Sequence, residues 1–285
     1  VCVAVALSAR RVAARRNLTF TKRGDTVSKA VMTIHGFLTD TKDFGRLYDY
    51  LGFYDEVVPY KVPGHNDGEP FDKFNKEDTV AGILRCFDEL AAKYDEVDAV
   101  GFSMGGALTT YLCARRHVHK AVLVSPSNKY FNLNSPVAMI RFYLKYILRS
   151  VKARAAGQKD DGELKRYWQN SAVSAGIAVK RILPGVDLHT FGVFSDLMEI
   201  ADKAVEEKAP IDTPTLLLWG ELDELVPLAS VEFVENRFSN LTKFILPDVG
   251  HAMLYTNRDN EIIERIVDFL SDGTQHPVVP FENKV

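Results

Sequence analysis

The sequence predicts an α/β protein: a mostly parallel sheet flanked by helices, with one helical insertion. Three observations predict it. Short apolar runs alternate with stretches of helical periodicity. A glycine-rich turn, Gly101 to Gly106, joins one such run to a helical stretch. The strand rhythm then stops between Ser125 and Pro214, where the patterns are helical.

The elements follow in order. Asn17 to Lys22 reads as a leading strand, and Lys29 to Ile34 (KAVMTI) as a strand ending in His35-Gly36-Phe37. Phe44 to Leu51 reads as a helix. Glu56 to Val62 is a strand stopped by Pro63-Gly64. Lys76 to Lys93 is an amphipathic helix, with Val80, Ile83, Leu84, Phe87, Leu90 and Ala91 on one face. Asp98 to Phe102 is a strand running into Ser103, Met104 to Arg116 a helix, and Ala121 to Ser125 a strand. Thr215 to Trp219 and Lys243 to Leu246 are later strands. Asn260 to Leu270 closes the pattern as a helix, with Ile262, Ile263, Ile266, Val267 and Leu270 on its apolar face. The expected division is a leader (1–16), a core (17–127 and 211–285) and a helical cap (128–210).

Composition narrows the classes. With 285 residues, 46% hydrophobic and 26% charged, the chain is no collagen, coiled-coil rod or disordered polymer. A net charge of −3 gives the whole molecule no attraction for nucleic acid. Cys2, Cys86 and Cys113 lie far apart and form neither a zinc pattern nor a disulfide framework, which favours a reducing, cytoplasmic compartment. No H-x-x-x-H or clustered Cys/His pattern points to a metal, and no cofactor is expected. No apolar run reaches the roughly 18 residues of a membrane span. Val1 to Leu7 is apolar and precedes Arg10, Arg11, Arg15 and Arg16, with no acid before Asp25. That start reads as a short leader, as a truncated signal anchor with its basic flank, or as an Arg-rich targeting peptide.

The chemistry concentrates at four places. Gly101-Phe102-Ser103-Met104-Gly105-Gly106 matches G-x-S-x-G between a strand and a helix. Neighbours without side chains let strand and helix pass closely, and the sharp turn holds the serine hydroxyl out. A hydroxyl is a poor nucleophile until a base takes its proton. His251, in Gly250-His251 after the last strand, is the candidate base among seven histidines. Asp223, between Gly220 and Val226-Pro227, is the candidate carboxylate to orient that histidine, with Glu221 next. The oxyanion donors are the N–H of Met104, after the nucleophile, and that of Phe37, after the early strand. His35 is then a loop-shaping residue.

The set HGF, GFSMGG, GELDELVP and VGH resembles the α/β-hydrolase superfamily, and within it the serine carboxylesterase and monoacylglycerol lipase-like branch. The resemblance runs from about Lys29 to Leu270 and is weakest across the cap. It implies an α/β-hydrolase fold with an inserted lid and a Ser–His–Asp esterase at Ser103, His251 and Asp223, with oxyanion donors at Phe37 and Met104. One departure is the short distance between the leading strand and the HGF strand, which suggests that the opening antiparallel strands are cut down.

Val137 to Arg181 holds ten basic and three acidic residues, a net +7. Arg141, Lys145, Arg149 and Lys152 share one helix face opposite apolar residues. Such a helix roofs an acyl pocket or lies on an anionic membrane surface. Both fit a lipid-like or other small ester as partner, with Phe131, Tyr143 and Trp168 as candidate lining residues. The expected activity is cleavage of short or medium acyl esters, monoacylglycerols among them. A thioesterase, an amidase, a C–C hydrolase or a non-catalytic binding protein on the same fold are the alternatives.

Overall fold

The computed structural model describes residues 27–65, 69, 71–129, 188–221, 223, 225–247, 249–256 and 258–274. The leader, the strand expected at Asn17–Lys22 and the basic stretch Val137–Arg181 lie outside the described residues, as do Phe131, Tyr143 and Trp168. Six strands form one parallel sheet: β1 (Lys29–Ile34), β2 (Glu56–Tyr60), β3 (Glu96–Phe102), β4 (Ala121–Val124), β5 (Thr215–Gly220) and β6 (Leu241–Leu246). Their spatial order is β2-β1-β3-β4-β5-β6.

The two-residue period of each strand sorts its side chains between two cores. Met32 and Ile34 of β1, Ala99 of β3, Leu123 of β4 and Leu217 of β5 face one side. There they pack with α1 (Lys76–Ala91), α2 (Met104–Arg115) and α3 (Leu188–Lys208). Val31, Val100, Val122 and Leu216, one step out of phase, face the other side. They meet Phe44 and Leu47 and the apolar stripe of α5 (Asp259–Leu270). Burial on both faces explains why these strands read as unbroken apolar runs. Each fully buried Leu or Ile contributes roughly 1.5–3 kcal/mol.

Local signals set the helix ends. The Asn75 side chain caps α1 by accepting from the Asp78 N–H at 2.7 Å, and Glu77 and Asp78 favour the positive end of the helix. Lys120 donates to the carbonyls of Phe269 and Leu270 and to Asp272, closing the C-terminal end of α5. α3 lies inside the stretch read as the cap. Its Phe194, Leu197, Met198, Ala201 and Val205 are buried in the first core, against α2.

Two local readings need correction. The helix read at Phe44–Leu51 is a 3-10 segment, Thr41–Tyr50, interrupted at Gly45, whose φ of 48° and ψ of −123° no helix accommodates. A short helix, α4 (Leu228–Glu235), went unread: its buried face includes the polar Ser230 while the apolar Leu228 is exposed, which blurs the contrast between its faces over only eight residues. His119, half-buried after α2, donates from Nδ1 at 2.8 Å to the buried carboxylate of Asp98.

The strand order prepares a site. From β1 the chain steps to β2 on one side, then returns to lay β3 against the other side of β1. In open parallel sheets the crevice lies at the C-terminal ends of the strands where the order reverses. Here those ends carry His35-Gly36-Phe37 and Ser103.

Candidate active site

Ser103 sits between β3 and α2 at φ 54°, ψ −117°, a conformation that costs a non-glycine residue about 1–3 kcal/mol. The surroundings enforce it. Its N–H donates to the Val124 carbonyl at 2.9 Å, and its carbonyl accepts from Ala107 and Ser127. Gly101 and Gly105 are required by crowding: a Cβ on Gly101 would overlap the Gly105 carbonyl, and one on Gly105 would stand 2.6 Å from the His35 carbonyl oxygen. The backbones touch as the G-x-S-x-G pattern implied.

His251 follows β6, is buried, and packs its ring 5.0 Å from that of Phe102. Gly220, at the end of β5, makes room for this loop, since a Cβ there would lie 2.8 Å from the Val249 carbonyl carbon. The Asp223 side chain is fully buried. One of its oxygens accepts from the N–H groups of Leu225 (2.9 Å) and Val226 (2.8 Å). The Trp219 indole N–H fixes the same loop by donating to the Val226 carbonyl at 3.0 Å.

These residues meet. His251 Nδ1 lies 3.1 and 3.0 Å from the two Asp223 oxygens, and its Nε2 lies 3.0 Å from Ser103 Oγ. An ionised carboxylate only accepts, so Nδ1 carries the proton. Nε2 then presents a lone pair to the serine hydroxyl, the arrangement a general base needs. Glu221, the alternative acid, is exposed.

The N–H groups of Phe37 and Met104 have no hydrogen-bond partner among the described residues. Met104 opens α2, where such groups are left over by helix geometry. His35 is buried: its Nε2 accepts from the Val62 N–H at 3.1 Å, so its Nδ1–H donates to the Gly36 carbonyl at 2.8 Å. It shapes the loop, tying β1 to the segment after β2.

Two groups here escaped the sequence reading. Asp43 is buried beneath the β1 loop and accepts from the Gly36 N–H at 2.9 Å. The only local hint was an acid placed directly before the buried Phe44. An aromatic cluster also surrounds Phe37. Phe194 stacks on it at 4.7 Å, and Phe191, Phe74 and His65 each lie 5.8 Å away. The F-D-K-F spacing of Phe71 and Phe74 gave no sign of this. Among the described residues no group of His, Cys, Asp and Glu could hold a metal ion, and no helix is long and apolar enough to cross a membrane. Burial pushes the Cys113 thiol up to about 12, so it is inert packing.

Fold and sheet-edge geometry together define an α/β hydrolase. The family model for the alpha/beta hydrolase fold matches residues 29–258, and the chain belongs to that family. It is similar to a pimeloyl-[acyl-carrier protein] methyl ester esterase of Neisseria meningitidis serogroup A, with 25% identity covering 86% of this chain and 80% of that protein. It is similar also to Lipase 3 of a Moraxella species, with 22% identity covering 82% of this chain and 75% of the lipase. Among solved structures it matches one described with LipS and LipT, two metagenome-derived lipolytic enzymes. That match has a TM-score of 0.59 at 18% identity and covers 86% of this chain and 95% of the other. The chain is thus an α/β-family hydrolase whose curated relatives include esterases and lipases.

Proposed function

We propose that this chain is a serine esterase that cleaves carboxylic esters of short or medium acyl chains, monoacylglycerols among them, through an acyl-enzyme. The observation that carries the reading is the unbroken hydrogen-bond line from Asp223 through His251 to Ser103. Ser103 Oγ attacks the ester carbonyl while its proton passes to His251 Nε2. Asp223 stabilises the imidazolium so formed. The carbonyl oxygen, now an oxyanion, rests on the N–H groups of Phe37 and Met104, each worth about 3 kcal/mol. His251 gives its proton to the departing alkoxide, and the alcohol leaves. Water then attacks the acyl carbon, passing one proton to His251, which returns it to Ser103 as the acid departs.

The esterase and lipase names of the relatives point to the same bond class. The aromatic wall of Phe37, Phe191 and Phe194 favours an apolar acyl group over a charged one. Labelling with a fluorophosphonate tests the reading. The wild-type chain should label, and Ser103→Ala and His251→Ala should not. A series of p-nitrophenyl esters and monoacylglycerols, set against thioesters and amides, then ranks the bonds cleaved. A folded wild-type protein that takes no label would sink the proposal in favour of a non-catalytic binding protein.

A further inference from the structure

The loop after β1 rests on a buried charge that the chemistry above leaves unused. The Asp43 carboxylate takes the Gly36 N–H at 2.9 Å and the Thr39 hydroxyl on the same oxygen. Thr39 Oγ also lies 2.9 Å from the Gly36 carbonyl, closing the loop on itself. A Cβ on Gly36 would stand 3.2 Å from the Asp43 oxygen, so glycine leaves this approach uncrowded. Between these anchored ends lie Phe37 and Leu38, the latter at φ 59°, a backbone conformation leucine rarely adopts. Burying a carboxylate here costs free energy, and its two donors are what offset part of that cost.

We infer that Asp43 is a positioning residue, whose ionised carboxylate fixes the Gly36–Thr39 loop in the form that offers the Phe37 N–H to the oxyanion. The inference rests on the proposed role of Phe37. It adds a second carboxylate to the machinery, acting on the oxyanion loop and not on the histidine tautomer.

The groups around Asp43 give the role a pH signature. Burial is the largest influence and lifts its carboxyl to about 6. The Thr39 hydroxyl and Gly36 N–H favour the charged form, as does His251 when protonated. Asp40, paired with Lys42 at 3.4 Å, disfavours it. The nearby Tyr48 phenol, bonded to Thr33, is itself held protonated and adds no charge. As pH falls, Asp43 takes a proton and releases its grip on the loop, while His251 ceases to be a base. Two groups must therefore be deprotonated for fast acylation.

The test is the rate of Ser103 phosphonylation by a fluorophosphonate across pH, in the wild type, Asp43→Asn and Thr39→Val, with Ser103→Ala as blank. The wild-type acid limb should be steeper than one proton allows. In Asp43→Asn the limb should fall to a single-proton slope, and labelling at neutral pH should slow about 10- to 100-fold. That loss should sit in the limiting rate and spare the half-saturating probe concentration, because the donor acts on the transition state. Thr39→Val keeps the charge but removes a group that favours it, so its acid limb should move to higher pH. Asp43→Asn labelling at the wild-type rate with the wild-type slope would overturn the inference while leaving the hydrolase reading intact. Should Asp43→Asn fail to fold, an acid limb unmoved in Thr39→Val overturns it equally. A wild type that takes no label overturns the hydrolase reading, and this inference with it.

Discussion

Gly105 and Ile34 meet backbone to backbone: a Cβ on Gly105 would overlap the Ile34 carbonyl. This contact brings the start of α2 against the end of β1, so the serine turn and the Gly36–Thr39 loop share one wall. Gly105→Ala should therefore force the two apart. It should cost about 3 kcal/mol or more in urea unfolding, at the upper end of overpacking penalties. Gly192, inside α3, has nothing among the described residues within 4 Å of its absent Cβ. Gly192→Ala should stabilise by about 1 kcal/mol through helix propensity alone. Equal effects at the two positions would contradict the close-packing account.

The Asp223 carboxylate sets the tautomer of His251. Asp223→Asn would place an amide N–H against Nδ1, favouring a proton on Nε2, the wrong nitrogen for taking one from Ser103. The fold should survive, since the remaining amide oxygen can still accept from Leu225 and Val226. Ester turnover should fall about 10⁴-fold with little change in thermal midpoint. Stopped assays on a p-nitrophenyl ester, paired with calorimetry, separate the two effects.

How much of this was legible in the sequence follows from the range of each signal. Ser103, Asp223 and His251 each stand in a short local pattern at a strand end, and strand order does the rest. The inner strands β1, β3, β4 and β5 were legible because burial on both faces leaves continuous apolar runs; the edge strands β2 and β6, largely half-buried or exposed, showed only short apolar runs bounded by turn residues. Asp43 was not, since its meaning lies in the approach of Gly36 and Thr39 across a turn whose φ/ψ values no composition announces. Gly220 was not legible either: it admits the Val249 carbonyl from the loop after β6, an approach no local pattern marks. The aromatic cluster joins Phe37, Phe74 and Phe194 from three distant segments, and only the fold assembles it.

The same limit applies to His119, whose partner comes from β3. Asp98 is buried, bonded to the Tyr54 hydroxyl and to His119, which also faces Glu96 at 3.5 Å. The hydrogen bond to Asp98 raises the His119 pKa above 6.5, against the opposing effect of burial. The folded chain thus keeps a proton that the unfolded chain releases. This stabilisation is fully present below about 6.5 and is lost as pH rises through the raised value. In His119→Gln, stability should decline less steeply than in the wild type over that window. Denaturant midpoints measured at several pH values check it, and parallel curves would remove His119 as the cause.

Asp43 predicts the opposite balance between stability and function. Burial raises its carboxyl from 3.8 to about 6, so the folded chain binds a proton that the unfolded chain gives up between those values. Stability from this group is greatest below the unfolded value and falls as pH rises through about 6. At about 1.4 kcal/mol for each pH unit of displacement, the fall amounts to about 3 kcal/mol. Asn at this position carries no such charge. Whatever constant offset the amide brings, the stability of Asp43→Asn relative to wild type should improve by about 2 to 2.5 kcal/mol between about pH 4 and pH 7.5. At neutral pH the variant should nonetheless label more slowly than the wild type. A residue that lowers stability where it is charged, and raises rate only where it is charged, is being kept for the reaction. Unfolding curves of the two proteins at the two pH values decide it: a difference that stays constant would mean that the Asp43 carboxyl titrates as it does in the unfolded chain.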